Sequence, residues 1–313
     1  MAAPFFDRIQ EVSESDTSTS YPVRARIIET KTEFCSSVII ADSPVFRRML
    51  FLDGELQSTE ADERIYHEAL VHPVMAMASS LMGERLPKPG EEPPEKRPRV
   101  LVVGGGEGAT VRELLKWDPL SVDWVDIDGE LVSLCQTHLK WAAPEVYTDS
   151  RVRFYPVDIR EALATTLNAV LYDVVILDLP DPDGETGYLY GPEFWQSISD
   201  HLGPQGLVVS HCGPVRPWGL IGEGFQRLLH GGSTLFPRTD GFYHQLIPSF
   251  QGEWGFMLGA KDRELYNDFM SLFSDKECYW PGLPSDLHVV NEEQIRLWGS
   301  KGGKLWRDAL GAF

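Results

Sequence analysis

The chain has 313 residues, 42% hydrophobic and 24% charged, with 47 acidic against 28 basic side chains and a formal charge of −19. Such a composition belongs to one or two ordinary folded domains, and it sets nucleic acid aside as a partner, because phosphate binding requires lysine and arginine. A negative field suits a cationic ligand, although net charge speaks first to solubility.

The N-terminal stretch MAAPFFDRIQEVSESDTSTS has no basic region followed by an apolar core, so no signal peptide is expected. Its residues 11–20 read as a loose tail or loop. From 21 to 57, the runs Val23–Ile28, Phe34–Ile40 and Val45–Leu52 are rich in β-formers and separated by polar residues, with a turn at Asp53-Gly54. Thr59-Glu-Ala-Asp62 resembles a capping box and predicts a helix starting at Thr59, with Pro73 interrupting or restarting it. The Pro-rich, charged stretch GERLPKPGEEPPEKRP at 83–98 reads as a linker. The expected division is therefore an N-terminal tail, β unit and helix at 1–85, a linker at 86–98 and a larger unit at 99–313.

Beyond the linker, strand and helix patterns alternate. Strands are expected at 100–103, 122–126, 152–155, 174–177 and 206–210, and helices at 109–117, 129–140, 159–167 and 192–201. This order predicts an α/β fold around a doubly wound, mostly parallel sheet. No run of about 18 apolar residues suggests a membrane span. The four cysteines (Cys35, Cys135, Cys212, Cys278) are far apart, with no C-x-x-C pair. Neither zinc nor a disulfide framework is expected, and a reducing, cytoplasmic setting fits.

RVLVVGGGEGA at 99–109 is a strand, a glycine turn and the start of a helix. Such a loop lets a ligand approach the backbone at a helix N-terminus. Gly104-x-Gly106-x-x-Ala109 satisfies a dinucleotide fingerprint, and Asp126 follows at the end of the next strand, where a ribose-binding carboxylate is expected. Glu107 sits inside the loop, where it would repel a diphosphate and attract an amine or a sulfonium. That favours an S-adenosyl compound over a nicotinamide dinucleotide. Asp158 reads equally well as an acceptor for an adenine amino group and as a helix cap.

ILDLPDPDG at 176–184 ends an apolar strand in Asp178, with Asp181 between two prolines. On this segment alone the aspartates are turn formers beside proline. Together with the glycine loop they become two anions at the edge where open α/β sheets bind ligands. A hard cation on Asp178, Asp181 and Asp183 is a third reading; no metal is expected.

LDGELQSTEADERIYHEALVHPVM (52–75), VLVVGGGEGATVRELLKW (100–117), VDIDGELV (125–132) and LDLPDP (177–182) together resemble the polyamine aminopropyltransferases, the spermidine and spermine synthase family. The resemblance runs from about 31 to 260. It implies a Rossmann-like, class I methyltransferase-type fold behind a small N-terminal β domain. The implied activity moves an aminopropyl group from decarboxylated S-adenosylmethionine to a di- or polyamine, releasing methylthioadenosine. By position, Asp178 resembles the catalytic base, Asp181 the amine-binding carboxylate and Tyr66 a substrate-contacting tyrosine. Gln57, His67, Gly104, Gly106, Glu107, Asp126, Asp158 and Ile159 fall at donor-binding positions. A homodimer or homotetramer is implied as well.

Three positions depart from the family pattern. Cys35 and His211 stand where glutamines are usual, and Phe250 where a tyrosine contacts the amine. His211 and Phe250 are therefore candidate acceptor-binding residues with altered hydrogen bonding. The ending at 278–313, with Trp280, Trp298 and Trp306, does not match the family, and a lid, a subunit contact and a packing tail all remain open for it. The alternative function is another S-adenosylmethionine-dependent transferase on the same scaffold, such as an N-methyltransferase or an enzyme of specialised metabolism.

Overall fold

The computed structural model describes residues 7–12, 18–82, 96–141, 143–180, 184–215, 223–236, 241–267 and 283–299. Strands β1 (Asp7–Val12) and β2 (Ser18–Val23) form an antiparallel hairpin. Next to it, β3 (Ala25–Thr30), β4 (Val38–Ser43), β5 (Arg47–Leu52) and β6 (Glu55–Thr59) form a four-stranded meander. Asp53 and Gly54 join β5 to β6 with φ of 51° and 92°. Two consecutive positive φ values are what a two-residue type I′ turn requires. The inner strands β4 and β5 are buried on both faces, and the period of two sorts their residues. Ile39, Ala41, Met49 and Phe51 face the hairpin, while Val38, Ile40 and Leu50 pack against Ala109, Leu131, Cys135 and Trp141 of the larger unit.

The structure corrects several local expectations; among them, residues 11–12 and 18–20, read as a loose tail or loop, pair in the β1–β2 hairpin. The run Phe34–Ile40 becomes strand only at Val38, because the Thr32 hydroxyl accepts the amides of Phe34 and Cys35 (3.3 and 3.0 Å) and holds the chain in a loop. Helix α1 (Glu63–Met82) starts four residues after Thr59 and runs unbroken through Pro73. Thr59 still belongs to β6, and its hydroxyl donates to Asp62 (2.7 Å), while Asp62 also accepts the amide of Ser249 (2.7 Å). The helix tolerates its internal proline because it is buried nearly all round, so packing outweighs the lost hydrogen bond.

The larger sheet contains β7 (Arg99–Gly104), β8 (Ser121–Val125), β9 (Val152–Tyr155), β10 (Tyr172–Asp178), β11 (Leu202–Pro214), β12 (Phe242–Ile247) and β13 (Gly252–Ala260). Its order is β12-β13-β11-β10-β7-β8-β9. The five strands from β11 to β9 are parallel, and β13 runs antiparallel to both β11 and β12. The helices are α2 (Ala109–Leu115), α3 (Gly129–His138), α4 (Ile159–Ala164), α5 (Pro192–His201), α6 (Glu223–Gly231) and α7 (Glu292–Gly299). Alternation along β7 sends Val100 and Val102 into the core beneath α1, and Leu101 and Val103 into the core that includes residues of α4 and α5. The architecture is the expected α/β fold with small N-terminal β-sheets. Strand β11 is much longer than the expected 206–210. Among the described residues, no helix is long and apolar enough to cross a membrane. Cys35, Cys135 and Cys212 are free thiols; Cys278 and residues 83–95 of the expected linker lie outside the described residues.

Strand order reverses between β7 and β10, and open α/β sheets bind ligands outside the carboxyl ends at such a point. There Gly104 of β7 pairs directly with Asp178 of β10. Gly104 has φ +80°, and a Cβ on it would collide with the Asp178 carbonyl oxygen. Gly104→Ala therefore forces both a strained backbone and a main-chain clash, expected to cost about 2–5 kcal/mol. Differential scanning fluorimetry is expected to show Tm falling by about 5–15 °C; an unchanged Tm would contradict the tight junction.

Candidate active site

The junction of β7 and β10 fixes Asp178 from several directions. Its carbonyl accepts the Gly105 amide (2.9 Å). Its Oδ1 accepts from the Tyr66 hydroxyl on α1 (2.8 Å), and its Oδ2 from the Thr110 hydroxyl in the first turn of α2 (2.6 Å). Each carboxylate oxygen thus keeps a lone pair for a further donor. Sequence reasoning placed Tyr66 and Asp178 in one site but missed Thr110, which reads as an ordinary helical threonine unless one notes that the glycine turn aims its helix at the sheet edge.

Glu107 is not the free anion that its place in the loop suggests. It is buried, its Oε1 lies 2.7 Å from His67 Nε2, and its Oε2 accepts the Trp141 indole N–H (3.2 Å). On its other side, His67 Nδ1 lies 3.1 Å from Glu63 Oε2. Burial alone would lower the His67 pKa, but Glu107 and Glu63 outweigh it and hold the imidazole well above its ordinary value. His67 is therefore an imidazolium bridging two carboxylates at neutral pH. Glu63 is in turn held by a two-pronged contact from Arg112 (3.0 and 2.8 Å), whose Nε donates to Glu113 (2.9 Å). Glu63 also stays ionised: burial works against it, but His67 and Arg112 pull its pKa below the usual carboxylate value. Glu63 and Arg112 went unnoticed in the sequence, although Glu63 and His67 stand at the i, i+4 spacing that brings helical side chains together.

On the β8 side, Asp126 points at the glycine loop: a Cβ on Gly106 would sit 3.0 Å from its Oδ2. Its Oδ1 accepts the Asp128 amide (2.9 Å). Asp128 caps α3 through the Leu131 amide (2.9 Å) and accepts the Thr32 hydroxyl, which ties the N-terminal loop to this edge. Beyond lies an open cavity of about 510 Å³ with apolar walls from Phe34, Ile127 and Val157. Its size suits a nucleoside. Asp158 lines the cavity as the cap of α4, accepting the Arg160 amide (2.8 Å), and its Oδ2 pairs with the Arg160 guanidinium (2.6 Å). The Ile159 side chain is buried in the core, which leaves its backbone rather than its side chain to a ligand. Gln57 lies on β6, and its side-chain amide donates to the Glu55 carbonyl (3.4 Å).

Burial, reinforced by the nearby charges of Asp128 and Asp178, pushes the Asp126 carboxyl up to about 7. Ribose hydroxyls donate to a carboxylate, so a bound nucleoside favours the ionised form. Calorimetry is expected to show nucleoside affinity rising as pH climbs from about 6 to about 8, with Asp126→Asn weaker and flat. Stability carries the opposite sign. The empty fold prefers the protonated acid, so it loses stability as pH rises from near 4 to near 7. Asp126→Asn should accordingly raise Tm of the empty protein more at about pH 8 than at about pH 5.

On the β11 side, aromatic rings gather beside Asp178. The Tyr66 ring lies 6.1 Å from His211, 6.2 Å from Phe250 and 5.6 Å from Phe256, centroid to centroid. Trp254 lies 4.7 Å from Phe250 and is stacked near His211 at 6.3 Å. One His211 nitrogen accepts the Gly213 amide (3.3 Å) and the other donates to the Leu179 carbonyl. Both are thus used within the chain, and the ring is buried beside Trp254. Asp181 lies outside the described residues.

A sequence model of the spermine/spermidine synthase domain matches residues 63–268. The polyamine aminopropyltransferase of Synechococcus sp. (strain JA-2-3B'a(2-13)) is 36% identical over 256 residues, covering 80% of this chain and 77% of that protein. The polyamine aminopropyltransferase of Pyrobaculum neutrophilum is 34% identical over 230 residues, covering 71% of each. Among solved structures, a spermidine synthase in complex with the transition-state analogue AdoDATO superposes with a TM-score of 0.76 at 23% identity, over 98% of this chain and 95% of that one, a likeness of fold.

Proposed function

Because the chain belongs to the spermine/spermidine synthase family, we propose that this crevice moves an aminopropyl group from decarboxylated S-adenosylmethionine to a di- or polyamine and releases methylthioadenosine. The observation that carries the reading is the Asp178 carboxylate, held by Tyr66 and Thr110 at the strand end, next to the loop of Glu107. An alkylammonium has a pKa near 10 and no free lone pair. Asp178 accepts its proton, and the freed lone pair attacks the carbon beside the sulfonium. A nitrogen–carbon bond forms, the carbon–sulfur bond breaks, and its electron pair stays on sulfur, which becomes neutral. Tyr66 and Thr110 aim the carboxylate so that one unused lone pair meets the amine.

The remaining roles belong to the same proposal. Asp126 receives the ribose hydroxyls and the wall of Phe34 and Ile127 receives the adenine. Glu107, oriented by His67 and Trp141, takes the ammonium of the aminopropyl arm. The rings of Tyr66, His211, Phe250 and Trp254 flank the acceptor's methylenes and cations, and Asp181 holds its second ammonium. The same reading makes the protein a cytoplasmic homodimer or homotetramer of two-unit protomers, which light scattering would weigh. The deciding experiment is mass spectrometry of products from a panel of amines with each donor. Aminopropylated amine with methylthioadenosine from the decarboxylated donor supports the reading. Methylated amine from intact S-adenosylmethionine would replace it with the methyltransferase alternative.

A further inference from the structure

The matched family domain ends at residue 268, yet residues 283–299 close against the helix that carries Tyr66 and His67. The contact centres on Glu68, which is fully buried. Its carboxylate accepts three consecutive backbone amides: His288 (2.8 and 3.0 Å), Val289 (2.7 Å) and Val290 (3.1 Å). An ionised carboxylate in an interior is costly without such donors, so the helix and the segment satisfy one another. Two residues along a helix is a turn of about 200°, so Glu68 grips α1 from the side opposite Tyr66.

A second line of contact ends at the same tyrosine. Trp298 of α7 packs on Tyr243 at 5.0 Å, and Tyr243 stacks on Phe256 at 5.3 Å and 18°. Phe256 lies 5.6 Å from Tyr66. The Tyr243 hydroxyl also donates to the Ala69 carbonyl of α1 (2.7 Å). Val290, Ile295 and Trp298 are all buried in the core that contains α1.

We propose that residues 283–299 form a clasp that fixes the depth and rotation of α1, and that Glu68 is a positioning residue for the Tyr66–Asp178 hydrogen bond. Of the readings open for the C-terminal region, a packing element with a catalytic consequence is the one this geometry favours. The inference rests on the proposed aminopropyl transfer. Glu68 touches no substrate. It acts through the placement of the Tyr66 hydroxyl, and sub-ångström errors in such placement are costly.

The test is a double-mutant cycle between Glu68→Gln and Tyr66→Phe, with kcat, both KM values and Tm recorded. In the wild-type background, Glu68→Gln is expected to lower kcat roughly 10- to 100-fold with KM values within about twofold. In the Tyr66→Phe background, where the hydroxyl is already gone, the same change is expected to lower kcat less than about threefold. Equal losses in both backgrounds, or a lower Tm with unchanged kcat, would overturn the proposal. Should Glu68→Gln fail to fold, Trp298→Leu is read in the same cycle by the same criteria. Wild-type turnover separates the two levels: its absence defeats aminopropyl transfer itself, whereas its presence with an additive cycle defeats only the clasp.

Discussion

Asp178→Asn is expected to lower kcat by about 10²–10⁴-fold near neutral pH, the range assigned to a positioned acid–base group. The substitution keeps the shape of the side chain and its capacity to accept from Tyr66 on one atom. What it removes is the proton acceptor. In the proposed reading the donor meets Asp178 only at its reacting end, so donor affinity measured by calorimetry is expected to stay within about threefold. A parallel collapse of donor affinity would assign Asp178 to binding instead, and full turnover would remove it from the chemistry.

The second large effect concerns Glu107→Gln. The wild-type carboxylate is held by His67 and Trp141, and in the proposed reading it presents negative charge to the aminopropyl ammonium. Glutamine loses that charge and leaves the imidazolium of His67 balanced by Glu63 alone. A charged hydrogen bond is worth about 1.5–3 kcal/mol, which converts to roughly 10- to 150-fold weaker binding of decarboxylated S-adenosylmethionine. Methylthioadenosine, which has no ammonium, is expected to bind within about twofold of wild type and serves as the internal control. Discrimination against intact S-adenosylmethionine should shrink as well, because its carboxylate no longer meets another anion. Equal weakening of both nucleosides would mean that Glu107 only shapes the loop.

The meeting of the glycine turn and Asp178 at the sheet edge was legible because its signals are local. A buried strand of Val and Leu running into glycines predicts a sharp strand-to-helix turn, and an aspartate closing an apolar strand predicts a carboxylate at the sheet edge. Order along the chain then places both at one crevice. The helix around Pro73 was misjudged because propensity weighs proline in isolation, whereas burial on nearly every side decided the outcome. Thr110, Arg112 and Glu68 were invisible for a different reason. Their partners lie 68, 49 and about 220 residues away in sequence, so no periodicity carries them. The net charge of −19 is a count over the whole chain and carries no local pairing: beside the glycine loop, the imidazolium of His67 and the guanidinium of Arg112 balance much of the acidic charge.

The claim on which the rest depends is that Asp178 removes a proton the amine cannot otherwise lose near neutral pH. Single-turnover rates for wild type and Asp178→Asn, with decarboxylated donor bound in advance, test it across about pH 7 to 9.5. As pH approaches the amine's own pKa near 10, the acceptor arrives already deprotonated. The deficit of the variant should then shrink by about tenfold per pH unit until another step limits the rate. A deficit that stays constant across the whole range would show that Asp178 contributes something other than proton acceptance, and general-base catalysis by this carboxylate would be wrong.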